Sequence, residues 1–165
     1  MSSRPKILVT GSNGQLGKEL RELASHYPQF EFIFLSREDL PIHHFELARN
    51  TFKAYQPQYC INCAAYTAVD KAESEKELAF QVNAEAPGVL AAICHEQHCR
   101  FIHISTDYVF DGQGHEPYTT ESPVAPQSVY GASKLEGELQ VQRFDPDAVI
   151  IRTSWVYSAF GRNFV

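Results

Sequence analysis

No stretch of this sequence approaches the run of roughly 18 apolar residues that a membrane-crossing helix needs, so a helical membrane span is not expected. A secretory signal is missing too. Met1-Ser2-Ser3-Arg4-Pro5 leads straight into Ile7-Leu8-Val9 without a charged n-region, a long apolar h-region or a small-residue cleavage site. A cytoplasmic location follows as the expectation. Positive charge is scarce: Lys and Arg number 14 against 20 Asp and Glu, the net charge is −6, and the basic residues are scattered. Such a chain is poorly suited to a phosphate backbone, so nucleic acid is not an expected partner. Repeats and low-complexity tracts are also absent. With 44% hydrophobic and 21% charged residues the composition is that of an ordinary globular protein, neither collagen-like nor disordered. Its 165 residues are about one domain's worth of chain, enough for a single sizeable core.

The four cysteines are few enough to need an individual reading. Cys60 and Cys63 have the spacing of a zinc or redox pair, and Cys94 and Cys99 follow downstream. Yet Cys60-Ile61-Asn62-Cys63-Ala64-Ala65 reads as a strand, in which residues three apart point to opposite faces. No metal is therefore expected, and the thiols read as small hydrophobes in a reducing compartment. His43, His44, His95 and His98 read as solvated or helix-surface histidines. Lys71, Glu73, Glu75, Lys76 and Glu77 alternate in sign, as on an exposed helix face.

What is present is a regular alternation of strands and helices. Lys6–Thr10, Phe30–Leu35, Gln58–Ala64, Arg100–Ser105 and Ala148–Arg152 read as strands. Helical spacing begins at Leu16, recurs weakly within Pro41–Tyr55, runs through Glu75–His98 and returns in Val129–Phe144. Pro87 is expected in the first turn of a helix that starts after a boundary at Asn83. Asp111–Pro126, rich in Gly, Pro, Ser and Thr, reads as a loop. The alternation predicts a doubly wound α/β fold with a parallel sheet, one domain over residues 1–165.

Two clusters carry chemistry. Gly11-Ser12-Asn13-Gly14-Gln15-Leu16-Gly17 sits at the first strand-to-helix junction. The turn needs positive φ at Gly11, close backbone approach to a pyrophosphate at Gly14 and tight helix–strand packing at Gly17. A helix N-terminus there supplies free N–H groups and a positive dipole end. At the end of the second strand a neutral Ser36 followed by Arg37 suits a 2′-phosphate and favours NADPH, while Glu38 and Asp39 keep NADH open. The second cluster is Tyr130-Gly131-Ala132-Ser133-Lys134. Residues four apart share a helix face, so the Lys134 ammonium is expected to favour the Tyr130 phenolate and lower its pKa from about 10. Tyr130 is then a proton donor and acceptor, and Thr106, at the carboxyl end of a strand, can hold a substrate carbonyl against it.

This set resembles the extended short-chain dehydrogenase/reductase family, a Rossmann fold that binds NAD(P). Within it the longer strings are similar to the reductases of dTDP-linked 4-keto sugars: ILVTGSNGQLGKEL at 7–20, INCAAYTAVDKAESE at 61–75, VNAEAPGVLA at 82–91, HISTDYVFDG at 103–112, VYGASKLEGE at 129–138 and IRTSWVY at 151–157. The resemblance implies hydride transfer from NADPH or NADH to the 4-keto group of dTDP-4-dehydro-L-rhamnose, giving dTDP-L-rhamnose. It implies Tyr130, Lys134 and Thr106 as the catalytic set. Gly11, Asn13, Gly14, Gln15, Leu16, Gly17, Ser36, Arg37, Ala64, Ala65, Tyr66 and Asn83, with Tyr130 and Lys134, would hold the cofactor. Thr67, Val69, Thr106, Tyr108 and Trp155 would face a dTDP-sugar, and the intact enzyme could be a homodimer. Two other readings share the scaffold: a non-catalytic subunit resembling the regulatory β subunit of methionine adenosyltransferase, and a nucleotide-sugar epimerase or dehydratase. The chain departs from the family pattern at Cys63, a small-for-small change, and at Pro41, which stands where a carboxylate usually meets the adenine. It also stops at Gly161-Arg162-Asn163-Phe164-Val165, where family members continue into a small substrate-binding domain, so a truncated chain is the expectation.

Overall fold

The computed structural model describes residues 4–161. Its centre is a parallel sheet of five strands, β1 (Lys6–Thr10), β2 (Glu31–Leu35), β3 (Tyr59–Asn62), β4 (Arg100–Thr106) and β5 (Val149–Thr153), in the spatial order β2-β1-β3-β4-β5. All four neighbouring pairs are parallel. Each connection is therefore a crossover, supplied by α1 (Gln15–Leu23), α2 (Phe45–Tyr55), the run α3 (Val69–Ala72), α4 (Lys76–Phe80) and α5 (Ala86–Glu96), and α6 (Val129–Phe144). The strand order reverses between β1 and β3, and ligands of open α/β sheets bind in the crevice beyond the carboxyl ends of the strands at such a point.

The strands form where apolar runs place side chains on two covered faces. Leu8, Cys60 and Phe101 face α2, α5 and α6 and pack with Ala48, Phe52, Leu90, Ile93 and Val141. The opposite face carries Ile61, Ile102 and Ile104, half-buried, and then Val149 and Ile151 on the edge strand, each 45% exposed. None of the described helices is long and apolar enough to cross a membrane.

Two sequence expectations are corrected. The third strand ends at Asn62 and not at Ala64, because the chain from Cys63 turns away to form a wall of the crevice. Pro87 does not follow a helix boundary. Helix α4 continues through a π-turn at Gln81–Glu85 directly into α5, with Pro87 in the first turn of α5. Proline has no N–H to give the carbonyl four residues back, and the widened turn absorbs that defect without breaking the helix.

The thiols form a group that spacing did not reveal. Cys60 of β3 touches Cys94 of α5, and Cys94 touches Cys99. All four cysteines are free. Burial raises Cys60, Cys94 and Cys63, the last to about 12, while hydrogen bonding to Cys94 and then burial raise Cys99, so none is a ready nucleophile. Among the described residues no group of three or more His, Cys, Asp or Glu is placed to hold a metal ion.

One polar row crosses the core. Thr10 Oγ1 donates to Asn62 Oδ1 at 2.6 Å, and Asn62 Nδ2 lies 3.0 Å from His103 Nδ1. With Asn62 as donor, the His103 proton sits on Nε2, a buried atom with no hydrogen-bond partner among the described residues. Burial, and then the Lys134 cation, hold His103 well below its ordinary range and keep it neutral. The unfolded chain takes up this proton near pH 6.5 and the native state does not. Above that pH the titration of His103 does not change native stability, which falls on acidification below it by up to about 1.4 kcal/mol per pH unit. Urea midpoints at pH 7.5, 6.5 and 5.5 measure the slope. His103→Phe is expected to lower stability at pH 7.5 and flatten the slope, whereas an unchanged slope in that variant excludes His103 as its source.

Candidate active site

At the carboxyl edge of the sheet lies a cleft of about 1000 Å³. The glycine turn forms one end. Gly11 has φ +62, and a Cβ there would stand 2.7 Å from the backbone of Ala64 on the facing loop. Gly14 N donates to Gly11 O at 2.9 Å, which folds the turn back on itself. Helix α1 then starts at Gln15 with no side-chain cap and no acidic residue in its first turn. Its leading N–H groups and dipole are thereby left to an anion in the cleft. Gly11, Asn13, Gly14, Gln15 and Leu16 line the cleft, whereas Gly17 lies behind the turn, packed on Ser12. Gln15 Nε2 also donates to Val156 O at 2.8 Å and ties the turn to the segment after β5.

The end of β2 is organised by Ser36. Its amide and hydroxyl donate to one Asp39 carboxylate oxygen at 2.9 and 2.7 Å, and these bonds, the amide first, pull Asp39 below its usual range. Ser36 is thus a turn-former that does not line the cleft, and the Asp39 carboxylate is engaged within the loop. Arg37 and Glu38 do line it. So does His43, which the sequence reading left as a solvated histidine; burial, with lesser repulsion from His44 and Arg37, pushes its pKa down. Its presence in the wall depends on the loop Leu40–His43 folding inward over the buried Leu40 and Ile42, which no local spacing signals.

The wall after β3 holds Ala64, Ala65, Tyr66 and Thr67. Asn83, buried in the π-turn, does not line the cleft but clamps this wall. Its Oδ1 accepts from Tyr66 N at 2.8 Å, and its Nδ2 donates to Tyr66 O and to Ser133 Oγ, both at 3.0 Å. Ser133 in turn donates to Tyr130 O at 2.7 Å. The Tyr66 hydroxyl donates to Glu75 at 2.6 Å, which raises its pKa.

Tyr130 and Lys134 line the far side together. Ser128 caps α6 by accepting from Gly131 N at 3.1 Å, which sets Tyr130 in the first turn. Tyr108, 47% exposed, stands edge-on to the Tyr130 ring at 5.5 Å. Thr106 is nearly buried at the end of β4 and, like Tyr108, lies outside the cleft lining; its hydroxyl accepts from Tyr108 N at 3.2 Å, donates to Asp107 at 3.1 Å and lies close enough to the Tyr130 phenol to favour its ionised form. The expected lowering of Tyr130 by Lys134 is not what the structure shows. Burial raises the phenol above its ordinary value, only partly opposed by Thr106, because Lys134 Nζ donates at 2.7 Å to the Ile104 carbonyl. A phenol held protonated is poised to give a proton rather than take one. Val69 opens α3 outside the cleft lining, and Trp155, 65% exposed, stacks with Tyr157 at 6.5 Å just beyond it.

A family model, RmlD substrate binding domain, matches residues 5–165. The dTDP-4-dehydrorhamnose reductase of Streptomyces griseus is 43% identical over 163 residues, 98% of this chain and 53% of that protein. The enzyme of the same name from Burkholderia thailandensis is 44% identical over 160 residues, covering 97% and 53%. Among solved structures, a Bacillus anthracis dTDP-4-dehydrorhamnose reductase in complex with NADP superposes with a TM-score of 0.94 at 36% identity, covering 98% of this chain and 57% of that one. A Clostridium acetobutylicum dTDP-4-dehydrorhamnose reductase gives 0.92 at 44% identity, covering 96% and 56%. The chain spans about half the length of the curated relatives it matches. With its Rossmann-like sheet, its glycine turn and its Tyr130–Lys134 pair, the chain belongs to the RmlD substrate binding domain family.

Proposed function

We propose that this chain is the cofactor half of an NADPH-dependent reductase acting on the 4-keto group of dTDP-4-dehydro-L-rhamnose and giving dTDP-L-rhamnose. The observation that carries this reading is that the uncapped start of α1 and the Tyr130–Lys134 pair open on one cleft at the switch point of the sheet. The residues present fit the cofactor. A glycine turn admits a pyrophosphate, and Arg37 stands in the wall near the end of β2 while Asp39 is taken up by Ser36. When bound, the reduced nicotinamide supplies a hydride to the C4 carbon. Tyr130 gives its proton to the oxygen as the C=O bond opens, so the products balance as an alcohol. Thr106, by turning its hydroxyl from Asp107 to the same oxygen, supports the developing charge. Lys134 holds the ribose on the Tyr130 side. Thr67, Val69, Tyr108 and Trp155 belong to the sugar-nucleotide side.

Titration of NADPH and NADH against the protein, followed by nicotinamide fluorescence, tests this reading. NADPH is expected to bind about tenfold more tightly, the scale of one charge-assisted contact to a phosphate, and Arg37→Ala to remove most of that margin. Equal affinities in the unaltered protein remove the role of Arg37. Binding of neither nucleotide removes the reading as a whole.

A further inference from the structure

Behind the cleft, α6 carries a second charged residue one turn beyond Lys134. Lys134 and Glu138 are each 2% exposed and lie four apart on one helix face. Consecutive residues of β4 take them up: Lys134 Nζ donates to Ile104 O at 2.7 Å, and Ser105 Oγ donates to Glu138 Oε1 at 2.5 Å. From β5, Arg152 closes on the same carboxylate, Nε at 2.9 and 3.2 Å and Nη2 at 2.6 Å, while its guanidinium lies 5.1 Å from the Phe110 ring centre. Both carboxylate oxygens are therefore committed, and Glu138 itself does not line the cleft.

A mere strut between α6 and β5 would not need this arrangement. Burying the Glu138 carboxylate carries a desolvation cost, and apolar residues of similar volume often fill such a space without loss of stability. What an apolar pair cannot supply is negative charge one helical turn from a buried ammonium. We propose that Glu138 is a positioning residue for Lys134, holding it charged at the cleft wall, and that Arg152 sets how much of the carboxylate's charge the lysine feels. This rests on the placement of Lys134 at the cofactor in the proposed function.

The surroundings leave Glu138 as the group able to do this. His103 of β4 is neutral, and Asn83, the side chain of the π-turn that meets this helix, is uncharged. His95 of α5 pairs with Asp145 at the far end of α6. Asp107 and Tyr108, in the turn after β4, act on Tyr130. Burial lowers Lys134 to about 8, with Glu138 pulling the other way.

The test follows the Lys134 side chain by NMR in the full chain labelled at lysine carbons, the signal assigned by its loss in Lys134→Met. Glu138→Gln is expected to move the titration midpoint down by about one pH unit or more, and Arg152→Gln to move it up. Glu138→Asp should restore most of the downward shift. Opposite shifts from the two sides of one ion pair are not what loss of a strut produces. An unchanged midpoint in folded Glu138→Gln, or shifts of the same sign in both variants, overturns the proposal. Should Glu138→Gln fail to fold, Arg152→Gln, which keeps the Ser105–Glu138 bond, decides alone: a rise supports the proposal, and a fall or no change overturns it. No cofactor is needed for this readout. Correct shifts in a protein that binds no NADPH would therefore reject the functional reading and leave the charge relation standing.

Discussion

Gly17→Ala is expected to unfold at a markedly lower urea concentration than the unaltered protein, with a loss of about 2–4 kcal/mol. The sign is opposite to the ordinary effect of this substitution inside a helix, where alanine gains roughly 0.5–1 kcal/mol over glycine. A Cβ on Gly17 would stand 2.6 Å from both Gly11 O and Ser12 Cα. These are backbone atoms of the turn that α1 packs against, and no rotamer change moves them. Relief requires the helix to lift off the turn, which also displaces the N–H groups of Gln15 and Leu16 from the cleft. Nucleotide affinity should fall along with stability. Gly14→Ala is the control: its Cβ would meet Gly11 O at 3.2 Å, a contact that small adjustments absorb, and it should cost less than half as much. Equal midpoints for Gly17→Ala and the unaltered protein would mean that the helix does not bear on the turn.

The second large effect is kinetic. If the proposed reductase activity is assayed in a longer form carrying the second half that the relatives have, Tyr130→Phe is expected to lower kcat by at least about 10²–10⁴-fold, the range of one positioned proton donor. Nucleotide affinity should change by no more than about threefold, since the ring keeps its edge contact with Tyr108 and α6 keeps its Ser128 cap. The state of the phenol suits the reductive direction of the proposed reaction. Burial raises its pKa, so it remains protonated through the neutral range and needs no ammonium to prepare it for giving a proton. NADPH consumption with dTDP-4-dehydro-L-rhamnose, read beside the nucleotide titration, separates the two effects. Substantial residual turnover in Tyr130→Phe removes the donor role.

The parts of the fold legible in the sequence were those written in local pattern. Strands buried on two faces show as short apolar runs, and β1, β2 and β5 lie within one residue of where those runs place them. The positive φ at Gly11 and the close packing at Gly17 follow from what a strand-to-helix turn requires of its backbone. What was hidden depends on contacts across the sheet. The contact of Cys60 with Cys94 joins β3 to α5, and no spacing within either element announces it. Pro87 reads locally as a helix start, yet the clamp of Asn83 on Tyr66 and Ser133 favours a continuous helix with a π-turn. His43 entered the wall with its loop. Tyr130 and Lys134 share a helix face as their spacing says, but spacing could not foretell that the ammonium would find the Ile104 carbonyl and leave the phenol to its burial. For Glu138 a signal was available, an acidic residue one turn beyond the lysine, and its force appears only once Ser105 and Arg152 are seen to meet it.

The reversal of strand order has a consequence for how the chain assembles. The first of the five strands in chain order, β1, ends in the interior of the sheet, flanked by β2 on one side and β3 on the other. During synthesis from the N-terminus, a β1-α1-β2 unit can close early but leaves the inner edge of β1 open until Tyr59–Asn62 has emerged. The pairing of Thr10 with Asn62, which also brings their side chains together in the core, is the event that covers that edge. Long-range parallel pairings of this kind form slowly because loop closure must precede any gain from contact. Folding therefore waits on residues some fifty positions downstream of the first strand, and a substitution at Thr10 or Asn62 should slow refolding more than one at the edge strand β5.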